Sequence, residues 1–215
     1  SITLIFTTVF NRLHKSAVDR PGNRKFLGFT ITNYGEISIA KASIKRIKNK
    51  IRIVTSRNRG RKIEQIIKEL NQIIRGWFHY FKPSNFETIM KQLDCWIRRR
   101  LRCYRLKQRK RKYSIKTFLV AHGSSESSSW SLACSNKGWW RKSLNPVIHK
   151  ALNLNWFKSK SLFSLFEEFV KHKLKTAYAT TLVGGVRGRF SDGSLYSINK
   201  NHLYDISDKI LKNQD

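Results

Sequence analysis

Acidic residues are scarce in this chain. Asp and Glu number 13 against 44 Lys and Arg in 215 residues, a formal net charge of +31. A fold carrying that charge repels itself, so an anionic partner is expected to belong to its working state. The same scarcity thins acid-dependent chemistry. No Asp-Asp pair occurs, and neither a Ser-His-Asp pattern nor a phosphate-binding Gly-rich loop stands out. Cysteine is limited to Cys95, Cys103 and Cys134, without paired spacing. These read as free thiols in a reducing, cytoplasmic compartment. The histidines His14, His79, His122, His149, His172 and His202 are dispersed, and none stands at metal-ligand spacing from a cysteine. Apolar runs fall short of the roughly 18 residues a membrane span needs. The start, Ser1 to Phe10, is apolar but has no basic lead and no small-residue cleavage site. The one methionine is Met90, and position 1 is Ser. The chain is therefore expected to be a piece of something longer.

Hydrophobic residues at 40% can still build a core, so the chain is not a disordered basic tail. Its organising stretch runs from Ile63 to Lys112. With Ile97 as origin on a helix, Phe86, Met90, Leu93, Leu101 and Tyr104 fall within about 40° of it. Arg98, Arg99, Arg102, Arg105 and Arg109 occupy a wide arc beyond that seam. Asp94, one turn before Arg98, offers a single i,i+4 partner. The other guanidiniums need an external anion, and a polyphosphate backbone fits. An anionic membrane is the rival, but it predicts bulky apolar residues free to insert, and these seams look committed to one another.

Around this helix the chain divides. Arg24–Ile31 reads as a strand, Asn33–Gly35 as a turn and Glu36–Ile39 as the returning strand of a hairpin. Ile44, Ile47, Ile51 and Val54 mark a helix over about 43–55. A basic loop with Arg57, Arg59 and Arg61 leads to a second helix over about 62–81, which Pro83 stops. Three amphipathic helices on short loops predict a bundle. His122–Ser129 is Ser-rich and reads as a linker. An aromatic and basic segment follows, in which Asn145-Pro146 opens a short helix.

Taken in order, Asn11–Asp19 and Arg24–Phe29 resemble the last two motifs of a bacterial group II intron reverse transcriptase. Arg75–Phe81 and Leu93–Arg102 are similar to the maturase-specific domain, or thumb, of the same proteins. Trp139–Ser143, Pro146, His149–Leu152 and Trp156-Phe157 resemble their C-terminal part. The likeness covers roughly residues 11–170. Ser161 stands where the family leads one to expect glycine, and the family's catalytic Asp-Asp is missing.

The resemblance implies a mainly α protein, with a three-helix thumb-like bundle, an N-terminal β-hairpin and a smaller helical C-terminal region. Residues 1–39 would be a palm remnant and 40–121 the maturase-specific domain. Residues 122–129 would be a linker, 130–175 a basic-aromatic nucleic-acid-binding region and 176–215 a tail. It further implies an RNA-binding maturase that assists splicing and mobility of its intron without polymerase chemistry of its own. The alternatives are the thumb half of a split RNA-directed DNA polymerase, or a decayed fragment binding polyanions generally. No catalytic residue, metal ligand or cofactor is assigned; Mg2+ would enter only with a separate catalytic half. Lys15 matches a lysine near the incoming nucleotide but has no carboxylates to work with. Phe26, Leu27, Gly28 and Phe29 correspond to a hairpin gripping the primer end, or else to a plain buried strand. The nucleic-acid candidates are Arg57, Arg59, Arg61, Arg98, Arg99, Arg102, Arg105, Arg109, Lys110, Trp139, Trp140, Arg141 and Lys142. Group II intron RNA, and through it a DNA target, are the partners implied.

Overall fold

The computed structural model describes residues 25–31, 37–82 and 86–184. Lys15, Pro83 and the expected turn at Asn33–Gly35 lie outside them. Three short strands, β1 (Lys25–Phe26), β2 (Phe29–Ile31) and β3 (Ile37–Ile39), form an antiparallel sheet in the order β1-β2-β3. Nine helices follow among the described residues. They are α1 (Lys41–Val54), α2 (Ile63–Phe81), α3 (Glu87–Arg109), α4 (Lys112–Ala121), α5 (Glu126–Cys134), α6 (Trp139–Lys142), α7 (Pro146–Ala151), α8 (Leu154–Ser159) and α9 (Leu165–Gly184). The fold is mainly helical, with the three-helix bundle and leading hairpin that the periodicity predicts.

The hairpin departs from expectation in one respect. The stretch 24–31 is not one strand: it turns back at Leu27-Gly28, pairing Phe26 with Phe29 and Lys25 with Thr30. Leu27 and Gly28 have φ of 49° and 86°, the double left-handed turn that matches strand twist in a two-residue hairpin. Gly28 is also a seat. Its carbonyl accepts from Ala40 N at 2.9 Å and Ser43 Oγ at 3.1 Å, and a β-carbon there would meet Ser43 Oγ at 3.0 Å and the Phe81 ring at 3.3 Å. Phe29 completes the contact, its ring 5.0 Å from that of Phe81 and 5.8 Å from that of Tyr80.

Helices α1, α2 and α3 bury one stripe each. Ile47, Ile51 and Val54 come from α1, Ile63, Ile66, Ile67, Leu70, Ile74, Phe78 and Phe81 from α2, and Met90, Leu93, Ile97, Leu101 and Tyr104 from α3. Leu106, on the opposite side of α3, is also fully buried. The second half of α3 is thus covered from two sides, because the chain reverses after it. Arg111 N donates to Arg109 O at 2.6 Å across Lys110, whose φ of 52° and ψ of −63° make a tight γ-turn. That turn ends α3 three residues before its expected limit and lets Ile115, Phe118 and Leu119 of α4 join the core.

The expected linker at 122–129 is instead part of this packing, a correction to the domain division. Gly123, at φ 82°, closes α4: Ser124 N donates to Leu119 O at 3.1 Å and Gly123 N to Val120 O at 3.0 Å. Helix α5 starts at Glu126, and Ser129 is fully buried. One core runs from Ile39 to Phe169, so the segments 40–121 and 130–169 share it. A compact unit ends at Lys173; a second begins at Leu174, described as helix to Gly184. Asn145 caps α7 as predicted, accepting from Val147 N at 2.9 Å with Pro146 in the first turn. Among the described residues no helix is long and apolar enough to cross a membrane.

The end of α8 repeats the closing motif of α4 with a different residue. Leu162 N donates to Phe157 O at 3.1 Å and Ser161 N to Lys158 O at 2.8 Å, but the left-handed position is Ser161, at φ 56°. A side chain there carries a steric penalty of about 1–2 kcal/mol, against roughly 0.5–1 kcal/mol of extra chain entropy for glycine. Ser161→Gly is therefore expected to stabilise the fold by roughly 0.5–1 kcal/mol. The urea midpoint of unfolding checks this: an unchanged or lower midpoint contradicts it.

Candidate nucleic-acid interface

Helix α3 positions six guanidiniums, from Arg98, Arg99, Arg100, Arg102, Arg105 and Arg109. The six described glutamates pair with other cations: Glu64 with Lys160, Glu69 with Arg59 and Arg61, Glu87 with Lys91, Glu126 with Lys116, Glu167 with Lys158 and Glu168 with Lys171. Asp94, the expected partner of Arg98, goes elsewhere. It is buried and accepts from Ser164 Oγ at 2.8 Å, Leu165 N at 3.1 Å and Phe166 N at 3.0 Å, capping α9. No described acid therefore forms an ion pair with any arginine of α3.

Rings and carbonyls hold these side chains instead. The Arg99 guanidinium lies 3.8 Å over the Trp140 ring, and its Nη2 donates to Trp140 O at 3.3 Å. Arg105 and Arg109 share the Phe118 ring, at 5.1 and 4.8 Å. The Nε atoms of Arg99, Arg105 and Arg109 are buried without a partner among the described residues. Burial, and then neighbouring Arg109, pull Arg105 below the usual arginine range. A guanidinium held over a ring keeps its planar fork of donors, with less freedom left to lose on binding an oxyanion. Arg98 is half-buried and donates from Nη2 to Cys95 Sγ at 3.2 Å. His149 stands near this group; burial and the positive fields of Arg102, Arg98 and Arg99 push its imidazole down toward the neutral form, outweighing its contact with the Ser143 carbonyl.

Two predicted members turn inward. Arg102 is buried, and its Nε and Nη2 both donate to Leu152 O, at 3.2 and 3.0 Å. Burial and neighbouring Arg98 lower its pKa to about 10. Lys142 is buried too, donating to Ala133 O at 3.2 Å with its ammonium 5.3 Å over the Trp139 ring. Neither offers its charge to a ligand; they fasten α7 to α3 and α6 to α5. The two tryptophans divide in the same way, Trp139 half-buried against the core and Trp140 exposed. Arg141 and Lys110 are exposed.

The loop cluster is mixed. Arg59 Nη1 reaches Glu69 at 2.8 Å and Val54 O at 3.2 Å, and Arg61 joins the same carboxylate, held below the usual range by Arg59. Arg57 is exposed and donates to the Cys103 sulfur, at 3.9 Å. The loop does lie along α3, since Tyr104 Oη and Gln108 Nε2 both donate to Arg61 O, at 2.6 and 2.7 Å. At the hairpin, Phe29 is half-buried while Phe26 and Leu27 project 76% and 67% exposed, so Phe26 and Leu27 are not the plain buried strand offered as the alternative.

Arg100 was hidden in the run Arg98-Arg99-Arg100. It donates to Thr55 Oγ1 and, at 3.3 and 3.4 Å, to the carbonyls of Arg52 and Thr55, so it caps the C-terminal end of α1. Its guanidinium and that of Arg52 lie 5.4 and 5.6 Å over Trp96. Its angular place gave a signal: it sits at the edge of the apolar seam, between core and arc.

A family model matches this region. Residues 44–119, from α1 into α4, match the group II intron, maturase-specific domain. The stretches resembling polymerase motifs, 11–29, and the C-terminal part, 139–157, lie outside the match. No curated protein matches the chain.

Proposed function

We propose, from the premise that residues 44–119 are a group II intron maturase-specific domain, that the chain binds structured intron RNA and so assists splicing and mobility. One observation carries this reading: no arginine of α3 forms an ion pair with a described acid, and the guanidiniums of Arg99, Arg105 and Arg109 lie over rings. A strongly hydrated, diffuse basic face needs no such arrangement, whereas phosphate recognition gains from donors ordered in advance. Arg98, Arg99, Arg105, Arg109, Lys110, Arg141 and Arg57 form the proposed phosphate-binding set, with Trp140 as backing for Arg99. Arg102 and Lys142 support it from within.

Replacing Arg98, Arg99 and Arg109 together by Ala is expected to weaken intron-RNA binding at least tenfold. Each lost phosphate contact should take about 0.9 from the slope of log affinity against log salt. Filter binding checks both figures, and excess tRNA as competitor distinguishes intron recognition from general polyanion binding. Equal competition by tRNA rejects the intron-specific reading, and unchanged affinity in the triple variant rejects the arginine face.

A second reading is favoured by the exposed hairpin tip, Phe26-Leu27, seated on α2 as if to meet another surface. In it, the chain supplies the thumb of a split RNA-directed DNA polymerase, with Mg2+ held by the other half. Primer extension with a separately expressed finger–palm piece tests this. Activity that survives deletion of Phe26–Phe29 counts against it.

A further inference from the structure

Away from the arginines, α4 and α5 pack side by side and leave an open groove of about 550 Å³ lined by Tyr113, Lys116, Glu126, Ser127 and Trp130. Tyr113 is 69% and Trp130 46% exposed. Two other exposed aromatic side chains have uses within the fold: Tyr80 donates to Leu27 O at 2.7 Å, and Trp140 lies under Arg99. Trp130 has no ring or cation stacked on it among the described residues. In the same groove Lys116 and Glu126 form an ion pair, with the Lys116 ammonium 5.7 Å over the Tyr113 ring. The exposed cations Lys110, Arg111 and Lys112 lead into the groove from the turn before α4.

Flat exposed rings suit an unpaired base, since every base has a face to stack. The ion pair adds a preference. A guanine edge presents one acceptor, O6, beside two donors, N1–H and N2–H2. An ammonium next to a carboxylate complements that order, the ammonium donating to O6 and the carboxylate accepting from N1–H and N2–H2. Adenine presents a donor and an acceptor in the reverse order. We infer that the groove between α4 and α5 holds an unpaired guanine of a bound RNA, stacked on Trp130 and Tyr113 and read by Lys116 and Glu126, with its backbone phosphates on Lys110, Arg111 and Lys112. This deepens the RNA-binding reading and rests on it.

The test uses the full chain and short single-stranded U-rich RNAs carrying one central G, one central A or an abasic site, with fluorescence anisotropy as readout. The G-containing strand should bind about tenfold more tightly than the abasic one, and more tightly than the A-containing strand. Trp130→Ala and Tyr113→Ala should each erase the gain over the abasic strand. Glu126→Gln should erase the G-over-A preference while keeping the stacking gain. A hairpin duplex RNA, which needs no stacking groove, should bind all three variants as it binds the parent; that also shows they are folded. Equal binding of the three strands by the parent, or an undiminished G gain in both aromatic variants, overturns the groove. Duplex RNA binding that ignores the Arg98, Arg99 and Arg109 replacements overturns the arginine face instead, so the two failures are told apart.

Discussion

Affinity for intron RNA should collapse with added salt, by about 10³–10⁵-fold between 50 and 200 mM if six to ten phosphates are contacted. The expectation follows from how the charge is distributed. Every described glutamate is engaged with a Lys or Arg, and those pairs lie mainly off α3. The cations left over can neutralise phosphates only by displacing the counterions condensed on the RNA, and added salt opposes that release. Exposed ion pairs such as Lys91–Glu87 contribute little either way. Filter binding over a salt series reads the slope directly. A slope near zero means that stacking and shape hold the RNA and that the arginine face is not its docking surface.

The parts of the molecule legible in advance were those set by period. A strict 3–4 spacing placed α1 and α2 within a residue or two, and the seam of α3 is buried where the helical projection puts it. What the projection could not show was a second layer on the far side. Arg98, Arg99, Arg102, Arg105 and Arg109 look like one solvent-facing arc as long as α3 is considered alone. Once the chain turns at Lys110, α4 and α6 pack onto that arc, and Leu106 becomes core on the face opposite Ile97. Guanidiniums tolerate this because rings and carbonyls can accommodate them, so a charged arc does not mark an exposed face as reliably as an apolar stripe marks a buried one. The Ser-rich stretch misled for a related reason. Serine composition reads as a spacer, yet Ser124 donates to Val147 O and the buried Ser129 sits between packed helices, where small side chains let backbones approach.

The same second layer joins two candidates that are far apart in sequence. Trp140 and Arg99 were separate predictions, one in an aromatic-basic segment and one on the long helix. Packing α6 on α3 makes them one unit, so the C-terminal segment helps to hold Arg99 of the bundle in place. Arg102 is the structural counterpart: it satisfies the Leu152 carbonyl with two donors where α7 ends. A loss of RNA binding in an Arg102 variant therefore reports on folding and cannot be read as a lost phosphate contact.

Removing the Asp94 carboxylate should destabilise the fold more than any surface change in the basic face. Asp94→Ala leaves Leu165 N–H, Phe166 N–H and the Ser164 hydroxyl without their acceptor, two of them at the start of a helix and one of those buried. Hydrogen bonds to a charged group contribute about 1.5–3 kcal/mol and a helix cap about 0.5–2 kcal/mol, so the combined cost is expected at about 2–4 kcal/mol. Burial pushes the Asp94 carboxyl above the usual carboxylate range although the three donors pull the other way. The charge itself is thus costly to hold, and what the site needs is acceptor oxygen. Asp94→Asn keeps one such oxygen in place and sheds the buried charge, so it should cost less than half as much as Asp94→Ala. Urea unfolding of the three proteins gives the ordering. If Asp94→Ala unfolds at the parent midpoint, α9 is not held through Asp94; if Asn costs as much as Ala, the charge rather than the acceptor fastens α9 to α3.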